Sequence, residues 1–132
     1  MSYNVNLKPE WITTKVDEGA IAWANDFAKY LAQDTKLEKG FAKALTTSQL
    51  RKFFGQLRRV QADYDKLKKE IPLLKPKLAY AVGRAEANNK IRDFYFQIEK
   101  GLTMVEGDKE NFNRFISLTE AIVAYHKFHG GK

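Results

Sequence analysis

The sequence has no cysteine, three prolines and two histidines in 132 residues. Missing thiols exclude a disulfide scaffold, a cysteine-based zinc ribbon and a thiol nucleophile. They also fit a reducing compartment. No apolar run approaches the roughly 20 residues that a bilayer-spanning helix needs. Met1 to Trp11 lack the basic-then-apolar order of a secretory leader. A cytoplasmic protein without membrane contact is expected. The chain holds no GxxxxGK(S/T) and no GxGxxG, the glycine-rich phosphate cradles. No serine lies in a nucleophile elbow.

His126 and His129 are too few for a zinc site. Cations near a helix C-terminus favour its dipole, which is the plainer role for both. Glu106, Asp108 and Glu110 cluster at a helix junction but lack the ligand spacing of an EF-hand. Capping and first-turn placement explain Asp108 and Glu110. No catalytic constellation, metal site or cofactor is expected, and the chain reads as a non-enzyme.

What is present supports a fold. Hydrophobic residues make up 44% of the chain, with nine Phe, six Tyr and two Trp. That is enough for a core in one domain of this length. The formal net charge is +7, and it is uneven. Residues 1–35 carry three Lys against five acids, a net of −2. Residues 36–84 carry thirteen Lys or Arg against four acids, a net of +9. Residues 85–132 carry seven of each sign. Charge needed only for solubility has no reason to concentrate in this way, and a basic block points to a polyanionic partner.

Apolar spacing is helical nearly throughout. Residues 1–14 read as an irregular segment broken by Pro9, and residues 15–132 as one helical-bundle domain. A first helix is expected from Lys15 to Gln33, capped by Thr14, with Asp17 and Glu18 in its first turn. Residues 34–45 read as a basic connector holding Gly40, with a short helical turn around Phe41 to Leu45. Thr46 to Gln49 fit a capping box opening a second helix that runs to Glu70, before Pro72. A third helix is expected from Pro76 to Ala87. A fourth carries Ile91, Phe94, Tyr95, Ile98, Leu102 and Val105. Gly107 and Asp108 end it and cap a fifth, which stops at Gly130 and Gly131. The fold class is all-α, a compact bundle of about five helices with short connections.

The second helix has two faces. Setting residue 50 at zero and advancing 100° per residue puts Leu50, Phe53, Phe54, Leu57, Val60, Tyr64, Leu67 and Ile71 between about 260° and 40°. Arg51, Lys52, Arg58, Arg59, Lys66 and Lys69 fall between about 80° and 200°. Gly55 sits amid the basic arc, where it leaves a shallow notch at a cost of roughly 1 kcal/mol relative to alanine. A solvated charged face with an incidental glycine competes with a phosphate-binding one, although few acids intersperse it. Lys75, Lys77 and Arg84 follow; Lys77 and Arg84 are seven apart, on one face of the third helix. Arginine suits phosphate because its planar fork donates two hydrogen bonds. Tyr80 sits among these cations and could stack on a base, with burial in the core as the competing reading.

Three blocks carry a resemblance. They are Leu45-Thr46-Thr47-Ser48-Gln49-Leu50-Arg51-Lys52, then residues 74–84 with Lys75-Pro76-Lys77 and Gly83-Arg84, then Glu120-Ala121-Ile122-Val123-Ala124-Tyr125-His126-Lys127-Phe128. In this order and spacing they resemble the small subunit of the type III-A CRISPR effector, the Csm complex, over roughly residues 45–130. The resemblance implies an all-helical, non-catalytic, repeated subunit contacting CRISPR RNA and target RNA, while the neighbouring backbone subunit cuts. It implies as partners the other Csm subunits, including the backbone and large subunits, and neighbouring copies. By motif, Arg51, Lys52, Lys77 and Arg84 are expected near RNA. Arg58 and Arg59 come from the helical wheel alone. The alternatives are a helical interaction subunit whose basic face docks an acidic partner, and an independent nucleic-acid-binding module. A homodimer of the isolated chain is also compatible with the sequence.

Overall fold

The computed structural model describes residues 3–132. Residues 3–8 form no regular secondary structure. Pro9 does not simply break the chain; it precedes one helical turn, α1 (Glu10–Thr13). Proline's fixed φ suits a helix start, where its missing N–H costs nothing. Trp11 and Ile12 of this turn are buried.

The next helix, α2 (Glu18–Ala32), is capped by Asp17, whose side chain accepts from the Ala20 amide at 2.9 Å. Thr14, expected as the cap, instead ends α1. Asp17 wins because its carboxylate also complements the positive end of the helix dipole. The connector forms no helical turn at Phe41. It folds into a two-stranded hairpin, β1 (Thr35–Lys36) against β2 (Phe41–Ala42), in antiparallel register Thr35 to Ala42 and Lys36 to Phe41. Gly40 takes φ 81° at the turn, a conformation that glycine adopts without steric cost.

α3 (Thr47–Ala62) opens with the expected capping box of Thr46 and Gln49. It stops eight residues before the expected end. Asp63 takes φ −140° and ψ 58°. One turn follows, α4 (Tyr64–Leu67), and then a 3₁₀ segment, Lys68–Leu73, which contains Pro72. Aspartate competes with the helix for its own backbone, and Pro72 cannot continue a regular α-helix. The kink lets Tyr64 and Ile71 both reach the core. α5 (Leu74–Arg84) starts two residues before Pro76, which therefore occupies the first turn, where no intrahelical N–H bond is lost.

α6 (Ile91–Val105) and α7 (Lys109–Phe128) meet at Glu106 and Gly107, both at positive φ. Asp108 caps α7, accepting from the Asn111 amide at 2.9 Å. α7 ends as expected. Gly130 takes φ 84°, its amide donates to the Lys127 carbonyl, and the Gly131 amide donates to the His126 carbonyl. This is the paired 5→2 and 6→1 closure of a Schellman motif.

The five long helices, α2, α3, α5, α6 and α7, make an all-α bundle. α7 packs against α1, α2, α3 and α6, and α5 packs on α6. Phe27, Phe94, Phe112 and Phe115 are fully buried at the centre. No helix among the described residues is long and apolar enough to cross a membrane.

Lys90, at 1% exposure, is buried where α2 ends and α6 begins. Its Nζ donates to the Tyr30 carbonyl at 2.7 Å, the Gln33 carbonyl at 2.5 Å and Thr35 Oγ1 at 2.7 Å. It also lies 3.9 Å from the centre of the Tyr30 ring. Burial pulls its ammonium below the usual lysine range, opposed by the nearby Asp93 and Asp34. The two histidines act as tethers. Buried His126 donates from Nε2 to the Leu45 carbonyl at 2.7 Å, and His129 meets Asn25 Oδ1 at 2.6 Å. They tie the end of α7 to the connector and to α2.

Candidate nucleic-acid interface

α3 buries Leu50, Phe53, Leu57 and Val60 and exposes Arg51, Lys52, Arg58 and Arg59. The two-faced pattern of the wheel therefore holds along α3. It does not extend beyond Ala62 as one helix face, because α3 ends there and Lys66 and Lys69 belong to α4 and the 3₁₀ segment.

The seven expected cations divide into three groups. Lys52, Lys77 and Arg84 come together on one cleft between α3 and α5, with a volume of about 290 Å³. Its lining contains no Asp or Glu. Lys77 and Arg84 share a face of α5 because they are seven residues apart.

Arg51, Arg58 and Arg59 form the second group, outside this cleft. Arg58 Nη1 pairs with Glu120 Oε2 of α7 at 3.4 Å, and its guanidinium lies 5.8 Å from the Phe54 ring centre. Arg59 Nη2 pairs with Glu70 Oε1. The face that reads as acid-poor along α3 thus receives acids from elsewhere in the fold. Such exposed pairs contribute about 0–1 kcal/mol, so a phosphate could displace them. Arg51 makes no ion pair among the described residues.

Lys75 stands alone in the third. It lines a different cleft with Lys68, Lys69 and Glu106, and its Nζ donates to Thr103 Oγ1 at 2.7 Å.

The glutamines of the first cleft were not read from the sequence as part of it. Gln49 and Gln56 line it beside Lys52. They are seven apart on α3, a spacing that places them on one face at the edge of the apolar stripe. That spacing was the available signal. Tyr80 also lines the cleft and is 68% exposed, so burial is not its role. The Arg84 guanidinium lies 5.7 Å from its ring centre. Gly55 is exposed, and a Cβ built there meets nothing within 4 Å. The notch in the basic face is therefore open, with no packing reason for glycine. Among the described residues no three His, Asp or Glu side chains gather as metal ligands.

The family model described as Csm2 Type III-A matches residues 21–132. The chain belongs to the Csm2 family. The CRISPR system Cms protein Csm2 of Streptococcus thermophilus is 35% identical to it over 95 residues, covering 67% of this chain and 75% of that protein. The three blocks that carried the resemblance in sequence lie within the residues matched to the Csm2 Type III-A description. So do α3, α5 and the cleft between them. α1 and α2 up to Ala20 precede the matched region, so the docked N-terminal segment is described by the structure alone. The cleft is thus a feature of the Csm2-like part of the molecule.

Proposed function

We propose that this Csm2-family chain is a non-catalytic, RNA-binding small subunit of the type III-A Csm interference complex. It holds CRISPR RNA and target RNA by their phosphates, whatever their sequence. The observation that carries this reading is the acid-free cleft on which Lys52, Lys77 and Arg84 converge. A subunit that must hold any guide gains nothing from base-edge readout. Contacts to phosphate position a nucleic acid without reading it, and release counterions as they form. Arg51 extends the cationic surface, and Arg58 and Arg59 join it by exchanging their carboxylate partners for phosphate. Lys75 belongs to a separate basic patch. Avidity along a polymer of repeated subunits compensates for weak binding by one copy. Exposed Phe96 and Phe128 offer apolar contacts to the backbone and large subunits or to neighbouring copies.

Anisotropy of a labelled random-sequence RNA over a salt series tests this. With about four phosphates contacted, log affinity should fall against log salt with a slope near −3 for a single strand. The variant Lys52→Glu/Lys77→Glu/Arg84→Glu should flatten that slope by about 2. An unchanged slope and affinity would remove the cleft from the RNA-binding surface. If the variant still bound RNA but no longer assembled with the other Csm subunits, the reading of a basic face docking an acidic partner would be favoured instead.

A further inference from the structure

The α3–α5 cleft has three properties that a simple phosphate clamp does not need. Its floor is apolar, formed by buried Phe53, Leu78 and Ile91. Tyr80 stands at its edge with most of its surface in solvent. Gln56, which lines it, has a buried Oε1 with no hydrogen-bond partner among the described residues. Buried polar atoms are nearly always satisfied in folded proteins, so each exception asks for an explanation. Other clefts on the molecule carry acids in their lining, such as Glu106 beside Lys75 and Glu99 beside Leu7. The cleft holding the orphan acceptor is lined by cations and no acid.

These features specify an occupant. It has a flat apolar body to lie on Tyr80 and the apolar floor. It has an N–H to donate to Gln56 Oε1. It carries negative charge for Lys52, Lys77 and Arg84. A volume of about 290 Å³ lies at the small end of pockets that hold small molecules, roughly 300–1,000 Å³.

We propose that the cleft receives one unpaired nucleotide of the bound RNA. Its base stacks on Tyr80 and donates to Gln56 Oε1, which a rotation of that half-buried side chain turns toward the cleft, while the adjoining phosphates lie against the three cations. This inference rests on the RNA-binding reading above and deepens it. Every natural base has at least one N–H on its pairing edge, so the contact does not select a sequence. Pairing occupies that edge, so the contact does distinguish an unpaired base from a paired one. Aromatic stacking is similarly tolerant of base identity.

The full chain can be tested by anisotropy against three RNAs of equal length. These are a mixed-sequence single strand, the same strand with its bases replaced by abasic sites, and a blunt duplex. Wild type should bind the base-bearing strand about 10-fold or more tightly than the abasic strand, the size of one base–aromatic stack. Tyr80→Ala should abolish that difference, read as the ratio of the two affinities measured on the same variant. Tyr80→Phe should keep it, and Gln56→Leu should weaken only the base-bearing strand. Tyr80 is exposed, so its variants remain folded, and thermal melts check this. Equal wild-type affinity for base-bearing and abasic strands would overturn the nucleotide pocket and leave the phosphate clamp standing. Failure to bind any of the three would overturn both.

Discussion

Lys90 shows how one residue can hold two elements together. Its ammonium closes the C-terminal end of α2, while its own carbonyl accepts from the Phe94 amide at the start of α6. The last carbonyls of a helix have no partner of their own, and a cation there also meets the negative end of the dipole. Removing the ammonium would strand three acceptors. Hydrogen bonds to charged groups contribute about 1.5–3 kcal/mol. Lys90→Met should therefore lower stability by about 2–4 kcal/mol in urea denaturation, even though methionine fits the apolar part of the site. Nothing in the sequence separates Lys90 from the other twenty-two Lys and Arg. Its burial is created by contacts 55 to 60 residues away. Arg58 and Arg59 illustrate the same limit. Glu120 lies 62 residues from Arg58, so a helical wheel drawn on α3 cannot show it.

At the scale of elements, local signals were legible where they were strong and short-ranged. The capping box at Thr46, the Gly107–Asp108 junction and the Gly130–Gly131 stop are all realised in the structure. Each rests on chemistry confined to a few neighbouring residues. The end of α3 was not legible, because apolar spacing continues through Tyr64, Leu67 and Ile71. That spacing is satisfied by a kinked path as well as by a straight helix. The hairpin at 35–42 is too short to show an alternating pattern, and its bridge from Lys43 to Asn89 is tertiary. Within α3, Gly55 and the fold part company. Alanine there meets open space and removes the backbone entropy of glycine. Gly55→Ala should raise stability by about 0.5–1 kcal/mol, measured by chemical denaturation. A simultaneous drop in RNA affinity would place a phosphate against the notch. Gly101 is the contrast, since a Cβ there would come within 2.7 Å of the Phe115 ring.

For the whole molecule, charge and acidity act separately. The net charge of +7 sets how the surface meets a polyanion. Stability at high pH responds instead to tyrosines that are half-buried or buried. The Tyr30 hydroxyl is pushed well above its ordinary value of 10.0, first by burial and then by donation to Asp93. Tyr3 and Tyr64 are also raised, chiefly by burial, and Tyr95 chiefly by the neighbouring Glu99 carboxylate. Above about pH 10 the unfolded chain loses these phenol protons while the folded chain keeps them, so stability falls as pH rises. Lys90 works in the opposite direction, because its folded value is depressed, but one lysine faces four tyrosines. Melting temperatures at about pH 9 and about pH 11 should therefore drop for wild type, and drop less for Tyr30→Phe. The cationic cluster on α3 and α5 was visible as an excess of basic residues. Its division into a cleft trio, paired arginines and a separate lysine needed the third dimension.

Residues 3–7, ahead of α1, are held by partners far along the chain. The Tyr3 amide donates to Asp93 Oδ1, the Leu7 amide to Gln97 Oε1, and the Trp23 indole to the Val5 carbonyl. Arg114 then grips the Ile12 carbonyl. The first three of these side chains to be synthesised, those of Trp23, Asp93 and Gln97, are separated by about half the chain. Closing loops of 90 residues is slow and entropically costly relative to local helix contacts. During synthesis, then, residues 3–7 wait with little to hold them until α6 has left the ribosome. These residues are made well before the side chains that fasten them, so their docking reports that α6 has already formed.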